Sequence, residues 1–303
     1  MLTFQEPTIA DRQWMEPLMR EFGNEGTESA FGSLYLWRNS YHTQFCRIGG
    51  AVVLCYTGGA MRSYGFPIGA LDAPALRQVL QQLTEDARQR NTLFTMWGVT
   101  NEQRQRMETA LPDTFVFEES RDDADYLYTS QSLITLAGRK LHGKRNHITR
   151  FCSQYEYDYR PVDKTTKDDC RRVEARWAAR HIERGGDAEE LRQEQFAIEE
   201  ALTHFEELCL CGGVLYVSGE PVAFTIGEAI NPRVFDVHFE KALDHIEGLY
   251  TMINQQFARH ALAPYEWVNR EEDLGLDGLR RAKLSYQPAY LLERWVARLR
   301  ENP

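Results

Sequence analysis

No apolar run in this chain approaches the ~20 residues that a helix needs to cross a bilayer, so no membrane span is expected. The start, MLTFQEPTIADRQW, has neither a basic leader nor an apolar stretch behind it, so no signal peptide is expected and the reading places the chain in the cytoplasm. Positive charge is short: 35 Lys and Arg stand against 45 Asp and Glu, a net charge of −10, and lysine is absent before Lys140. That balance excludes a protein that coats nucleic acid indiscriminately. The six cysteines, Cys46, Cys55, Cys152, Cys170, Cys209 and Cys211, include no CxxC pair and no His at zinc-site spacing. Reduced, buried thiols are expected and a metal site is not.

What is present reads as globular. Hydrophobics at 43% and charged residues at 26% exclude wholesale disorder, and 303 residues favour two domains of roughly 150 each. Helices are expected over Asp11 to Phe22, where Trp14, Leu18 and Phe22 recur at helical spacing, and over the stretch carrying Leu76, Val79, Leu80, Leu83 and Ala87. A hairpin is read at Ala51 to Tyr56, Thr57-Gly58-Gly59 and Ala60 to Tyr64. A strand at Thr92 to Val99, a helix at Asn101 to Ala110 with Asn101 as cap, and a strand at Thr114 to Glu119 follow. The second half repeats that order: helices at Asp168 to His181 and around Leu191 to Phe205, a hairpin of GGVLYV, SGE and PVAFTIGE, then strand, helix and strand. Element order alone suggests two copies of one fold.

The polar residues concentrate in three places. In Val234 to Glu240 the period of two puts Phe235, Val237 and Phe239 on one face and Asp236, His238 and Glu240 on the other. The second set is either a general base with its partners or the exposed face of an antiparallel sheet. The strand from Tyr265 runs into Asn269, Arg270, Glu271, Glu272 and Asp273, where ligands of open α/β sheets sit; the alternative is a charged, capped loop. An ordinary crossover through the helix between would bring that strand beside Val234 to Glu240. The segment GRKLHGKRNHITR, Gly138 to Arg150, holds five cations, two histidines and no carboxylate. Lys140, Lys144, Arg145 and Arg150 could grip polyphosphate or an RNA backbone or form a solvated helix face, and Arg280, Arg281 and Lys283 pose the same choice. Gly248 opens a helix whose N–H groups could take a phosphate or acyl carbonyl, or it is only a turn. Trp177 and His181, one helical turn apart, read as packing.

The words KLHGKRNHITRF, FDVHFEKA, GLYTMINQQFA and YEWVNREEDLGLDGLRRAKLSYQPAYLL, together and in order, resemble the family related to the C-terminal catalytic domain of phosphatidylglycerol lysyltransferases. The resemblance implies an α/β (α+β) chain of two tandem GCN5-related N-acyltransferase-like domains with mixed, mostly antiparallel sheets, a pairing shared with Fem-type aminoacyltransferases. Its expected parts are an N-terminal domain over residues 1–135, a basic connecting helix over 136–154, and a C-terminal domain over 155–303 with the active cleft. It implies that Lys144, Arg145, Asn146 and the Asn269 to Gly275 word line that cleft with Arg280 and Lys283. The superfamily's pyrophosphate pattern is matched only by His245-Ile246-Glu247-Gly248-Leu249-Tyr250.

The expected activity is transfer of an acyl or aminoacyl group to an amine or hydroxyl of a small-molecule, peptide or lipid acceptor. Aminoacyl-tRNA or acyl-CoA is the co-substrate, tRNA a candidate partner, and no cofactor is tightly bound. Asp236 and His238 are the catalytic pair. Lys144, Arg145, Asn146, Gly248, Tyr250, Arg280 and Lys283 are assigned to the donor, and Asn269, Arg270, Asp273 and Glu240 to the acceptor. The alternatives are a non-catalytic binding module on the same fold and an acyl-CoA N-acyltransferase acting on a small amine. Nothing in the sequence sets an oligomeric state, and a monomer is compatible with it.

Overall fold

The computed structural model describes residues 1–58 and 62–300. In chain order its strands are β1 Gln44–Ile48, β2 Ala51–Tyr56, β3 Ser63–Tyr64, β4 Thr95–Val99, β5 Phe115–Glu119, β6 Asp125–Thr129, β7 Tyr157–Pro161, β8 Cys211–Val217, β9 Glu220–Ala229, β10 Val234–Ala242, β11 Trp267–Asn269, β12 Tyr290–Leu292 and β13 Trp295–Leu299. Among the described residues they form two sheets, in the orders β1-β2-β3-β4-β13-β5 and β12-β6-β11-β10-β9-β8-β7. The chain divides into two compact units: Met1–Asp125 with Glu272–Gly275 and the segment from Leu291 onward, and Tyr126–Glu271 with Leu276–Tyr290.

Each unit carries the same pairing pattern. In the first, β1–β2 and β2–β3 are antiparallel, β3–β4 parallel and β4–β13 antiparallel. In the second, β8–β9 and β9–β10 are antiparallel, β10–β11 parallel and β11–β6 antiparallel. The mixed α/β class, with mostly antiparallel sheets, is therefore as expected, and the duplication suggested by element order reappears in strand pairing. The units part from the expected boundaries because sheet pairing overrides chain proximity: residues 126–135 go with the second unit, the segment from Leu291 with the first. The basic helix, His142–Gln154, lies within the second unit and is not a separate connector.

Local chemistry explains the elements. Helix Ala73–Gln89 starts at Asp72, whose side chain accepts from the Ala75 amide, and buries Leu76, Val79, Leu80, Leu83 and Ala87 against the first sheet's core. The cap of helix Asn101–Ala110 is Thr100 and not Asn101: Thr100 and Gln103 form a reciprocal capping box. A hairpin not read from the sequence joins β1 to β2 through Gly49 and Gly50, both at positive φ (58° and 85°), the two-residue turn that matches strand twist. Of the hairpin that was read, β3 does pair with β2, while Gly59, Ala60 and Met61 lie outside the described residues. Cys46, Cys55 and Cys170 are buried, but Cys152 and Cys209 are exposed and Cys211 half-buried. Cys209 sits in a turn at φ 51°, two residues before Cys211 opens β8.

Candidate functional site in the second unit

The centre of the second unit's sheet is β10, joined to β11 by the crossover helix Leu249–Phe257. That crossover sets Asp236 opposite Asn269 in the parallel register, while the antiparallel register on the other side sets Asp236 opposite Glu228. The β9–β10 ladder then slips between Val237 and Phe239, leaving His238 as the extra residue of a bulge. Gly227 is required there, since a Cβ on it would fall 1.9 Å from the Asp236 carbonyl oxygen.

Asp236 and His238 are 0% and 7% exposed, which excludes the exposed-face reading. His238 is enclosed by carboxylates: Nε2 lies 3.0 Å from Glu228 Oε1, and Nδ1 lies 3.1 Å from Glu271 Oε1 and 3.5 Å from Asp236 Oδ2. Burial by itself would push the imidazole pKa down, but Asp236, Glu228 and Glu271 outweigh it and hold the ring well above its ordinary range. His238 is thus an imidazolium near neutrality, with both nitrogens donating. A ring whose neighbours favour its charged form is a poor base, which tells against that expected role. Asp236, His238 and Glu271 also present ligand atoms within 4.8 Å of one another, a metal-compatible spacing. A metal would first have to displace the imidazolium proton.

A second cluster forms around Glu240. Its carboxylate accepts from Arg270 Nη2 and from Asn254 Nδ2, both at 3.0 Å. The Arg270 guanidinium carbon lies 4.8 Å from the Tyr286 ring centre, and Lys144 Nζ lies 3.9 Å from the same ring. Burial, then the neighbouring Arg270 charge, lowers the Lys144 ammonium to about 8. Glu240 keeps the buried Arg270 charged against the cost of desolvation. Lys283, itself buried, donates 2.6 Å to the Arg270 carbonyl, and Asn269 Oδ1 accepts the Glu271 amide at 2.7 Å. These bonds fix the backbone on which Arg270 and Glu271 stand.

Other expected residues go elsewhere. Asp273 belongs to the first unit, where it is buried, meets Arg121 at 3.3 Å and accepts the Gly275 amide. Arg145 donates to the Leu136 and Gly138 carbonyls, which makes it a clamp on the loop before its helix. Asn146 contacts His142 within the helix, and Tyr250 accepts from Trp177 Nε1 at 3.0 Å. Gly248 has φ 83° and sits with the His147 carbonyl 3.1 Å from where a Cβ would be, so turn geometry alone accounts for the glycine. Glu247 before it is ion-paired to Arg150. Arg280 is half-buried on helix Asp277–Leu284. Trp177 and His181 stack at 4.8 Å, as the packing reading expects. Glu228, Asn254 and Tyr286 were missed, and Glu271, expected only as part of the Asn269 to Gly275 word, was given no role of its own. A lone Glu ending the apolar run of β9 was the available signal for Glu228, while the rest depend on tertiary contact.

Two α/β units on mixed sheets with the same strand pairing, one bearing a buried His–carboxylate cluster, define a protein of two like-built domains. The chain belongs to the family described as phosphatidylglycerol lysyltransferase, C-terminal, whose model matches residues 19–298. It is similar to a conserved protein of unknown function from Bacteroides thetaiotaomicron, at 40% identity and TM-score 0.92 over 99% of this chain and 100% of that one. It shares its fold with L-PGS from Bacillus licheniformis, at 15% identity and TM-score 0.66 over 97% of this chain and 93% of that one. An uncharacterized protein of Mycoplasmoides gallisepticum is 22% identical over 187 residues, 62% of this chain, and the match spans only 59% of that protein's length. The resemblance read from the sequence words is borne out. Among the described residues no helix is long and apolar enough to cross a membrane.

Proposed function

We propose that the chain is an aminoacyltransferase that takes its aminoacyl group from tRNA and passes it to an amine or hydroxyl, with the second unit carrying the reacting groups. The observation that carries this reading is the buried cluster on β10, in which three carboxylates face one imidazolium. Such an excess of negative charge away from water favours a further cation, and every aminoacyl ester brings one in its α-ammonium group. The kinship with lysylphosphatidylglycerol synthetases is consistent with an ammonium-bearing donor.

In this reading Asp236 and Glu271 receive the ammonium and His238 holds the two carboxylates in place. The proton lost by the attacking nucleophile goes to Lys144, whose amine near pKa 8 is partly neutral at working pH, and Lys144 returns it to the terminal ribose oxygen of the tRNA as the ester C–O bond breaks and the free tRNA hydroxyl leaves. Arg270, locked by Glu240 and faced by Tyr286, supplies positive charge for the carbonyl oxygen that becomes an oxyanion, an effect commonly worth about 3 kcal/mol per donor. Arg145, Asn146, Gly248, Tyr250 and Lys283 have structural partners and drop out of the donor assignment.

The test is consumption of a radiolabelled aminoacyl-tRNA, scored separately with phosphatidylglycerol vesicles and with peptide amines. Transfer to either acceptor should occur, with a pH–rate limb near 8 that disappears in Lys144→Ala, and Asp236→Asn should lose about a hundredfold or more. A tRNA that fails to bind at low salt, where phosphate contacts are strongest, together with turnover of an acyl-CoA instead, would replace this donor with the other one.

A further inference from the structure

We propose that the first unit carries a second, separate binding site, for an uncharged aromatic molecule with one hydrogen-bonding group. Alternation along β2 and β4 sorts their side chains onto two faces of the first sheet. Val53, Cys55 and Met96 join the core that helix Ala73–Gln89 covers, whereas Leu54, Tyr56, Thr95 and Trp97 line a cavity of about 560 Å³. That volume lies within the range of roughly 300–1,000 Å³ typical of small-molecule pockets. Leu34, Trp37 and Tyr41, from the stretch of short helices Phe31–Leu36 and Arg38–Tyr41, supply further wall. A sheet face of this composition is ordinarily filled by close-packed side chains, and here room remains.

The charged side chains of the wall are already committed. The two terminal nitrogens of Arg294 reach Glu28 at 2.7 Å each, and one of them also reaches Asp125 at 2.7 Å while the other contacts the Gly98 carbonyl at 3.1 Å. Asp123 accepts from the Ser120 hydroxyl, and Glu272 is engaged as well. An anion would have to take Arg294 from its carboxylates, and a cation would have to take a carboxylate from its present partner. A neutral molecule disturbs neither. Thr95 supplies the polar contact: it lines the cavity, is 2% exposed, and its hydroxyl has no hydrogen-bond partner among the described residues. A hydroxyl both donates and accepts, so a ligand's hydroxyl or carbonyl beside it satisfies a group otherwise buried unpaired. Trp37, Tyr56, Phe66 and Trp97 offer ring faces and edges to an aromatic body. Tyr41 and Trp97, 49% and 43% exposed, put two rings of the wall where a ligand enters from solvent. The inference stands apart from the aminoacyltransferase reading, which uses groups of the second unit.

The experiment compares ethylbenzene, 2-phenylethanol, phenethylamine and 3-phenylpropionate, which share a body and differ in polar group and charge, by titration calorimetry. The alcohol should bind about tenfold or more tighter than either charged probe, and its affinity should not move with salt. In Thr95→Val, which keeps the branched shape and removes the hydroxyl, the affinity of the alcohol relative to ethylbenzene should fall about threefold to tenfold while ethylbenzene is retained. Should that variant fold poorly, Trp97→Ala, at the exposed mouth, must weaken both neutral probes several-fold. A charged probe that binds as tightly as the alcohol, an unchanged ratio in folded Thr95→Val, neutral probes indifferent to Trp97→Ala, or no binding of any probe overturns the proposal.

Discussion

Glu174, on helix Lys167–Glu183 of the second unit, is 6% exposed and neither of its carboxylate oxygens has a hydrogen-bond partner among the described residues. The nearby cation is engaged elsewhere: Lys241 Nζ lies 2.7 Å from Glu194 Oε2 and 3.4 Å from the Trp177 ring centre. Burial therefore dominates, Lys241 offsets part of it, and the Glu174 pKa is pushed up from 4.5 to about 7. The sign follows directly. Below about 4.5 the group is protonated folded and unfolded, and it leaves stability untouched. Between 4.5 and 7 the unfolded chain ionises first, so stability falls as pH rises, and the loss levels off once pH has passed the folded value of about 7. A gap of about 2.5 pH units is worth about 3 kcal/mol, most of it lost between about pH 5 and about pH 8. Urea unfolding of the protein and of Glu174→Gln across that range isolates the effect, because every other titration cancels in the difference. The variant should gain on the parent by about 2–3 kcal/mol as pH rises over the window. A difference that stays flat with pH, or that moves in the parent's favour, refutes the argument that Glu174 is a buried, uncompensated acid.

Two further outcomes follow from β10. Replacing His238 by Ala leaves Asp236, Glu228 and Glu271 without their shared imidazolium, and the cost at neutral pH should be about 3–5 kcal/mol, shrinking as acid protonates the carboxylates. In the parent protein His238 has a raised folded pKa, so its contribution is full below about 6.5 and fades as pH climbs through the folded value, a window above that of Glu174. Gly227→Ala should cost about 3 kcal/mol or more, since the new methyl meets backbone at 1.9 Å and nothing flexible can yield; thermal melting within about 2 °C of the parent would show that the bulge can relax.

Local rules carried far along this chain. Helical spacing located helix Ala73–Gln89 and its buried face, alternation located β10, and the strand ending at Asn269 lies beside it as an ordinary βαβ crossover requires, though the word it begins runs on into the first unit at Glu272. Hairpin chemistry at Ser218 and Gly219, with φ of 52° and 83°, likewise paired β8 to β9 without reference to the rest of the molecule. Those properties depend on neighbours within a few residues, which is all that a sequence displays.

Three-dimensional packing decided the rest. Asp236 and His238 were visible as polar residues on one strand, but their burial and the arrival of Glu228 and Glu271 around the ring exist only in the folded unit, and those contacts favour the charged form of His238. The same holds for Arg145 and Lys283, which resemble phosphate ligands in the sequence and bond backbone carbonyls in the fold. Domain limits also needed the sheets, since β6 and β13 pair with strands far away in sequence. Residue type sets which interactions a side chain can make; desolvation and the partners within reach, both products of tertiary structure, select the one it makes.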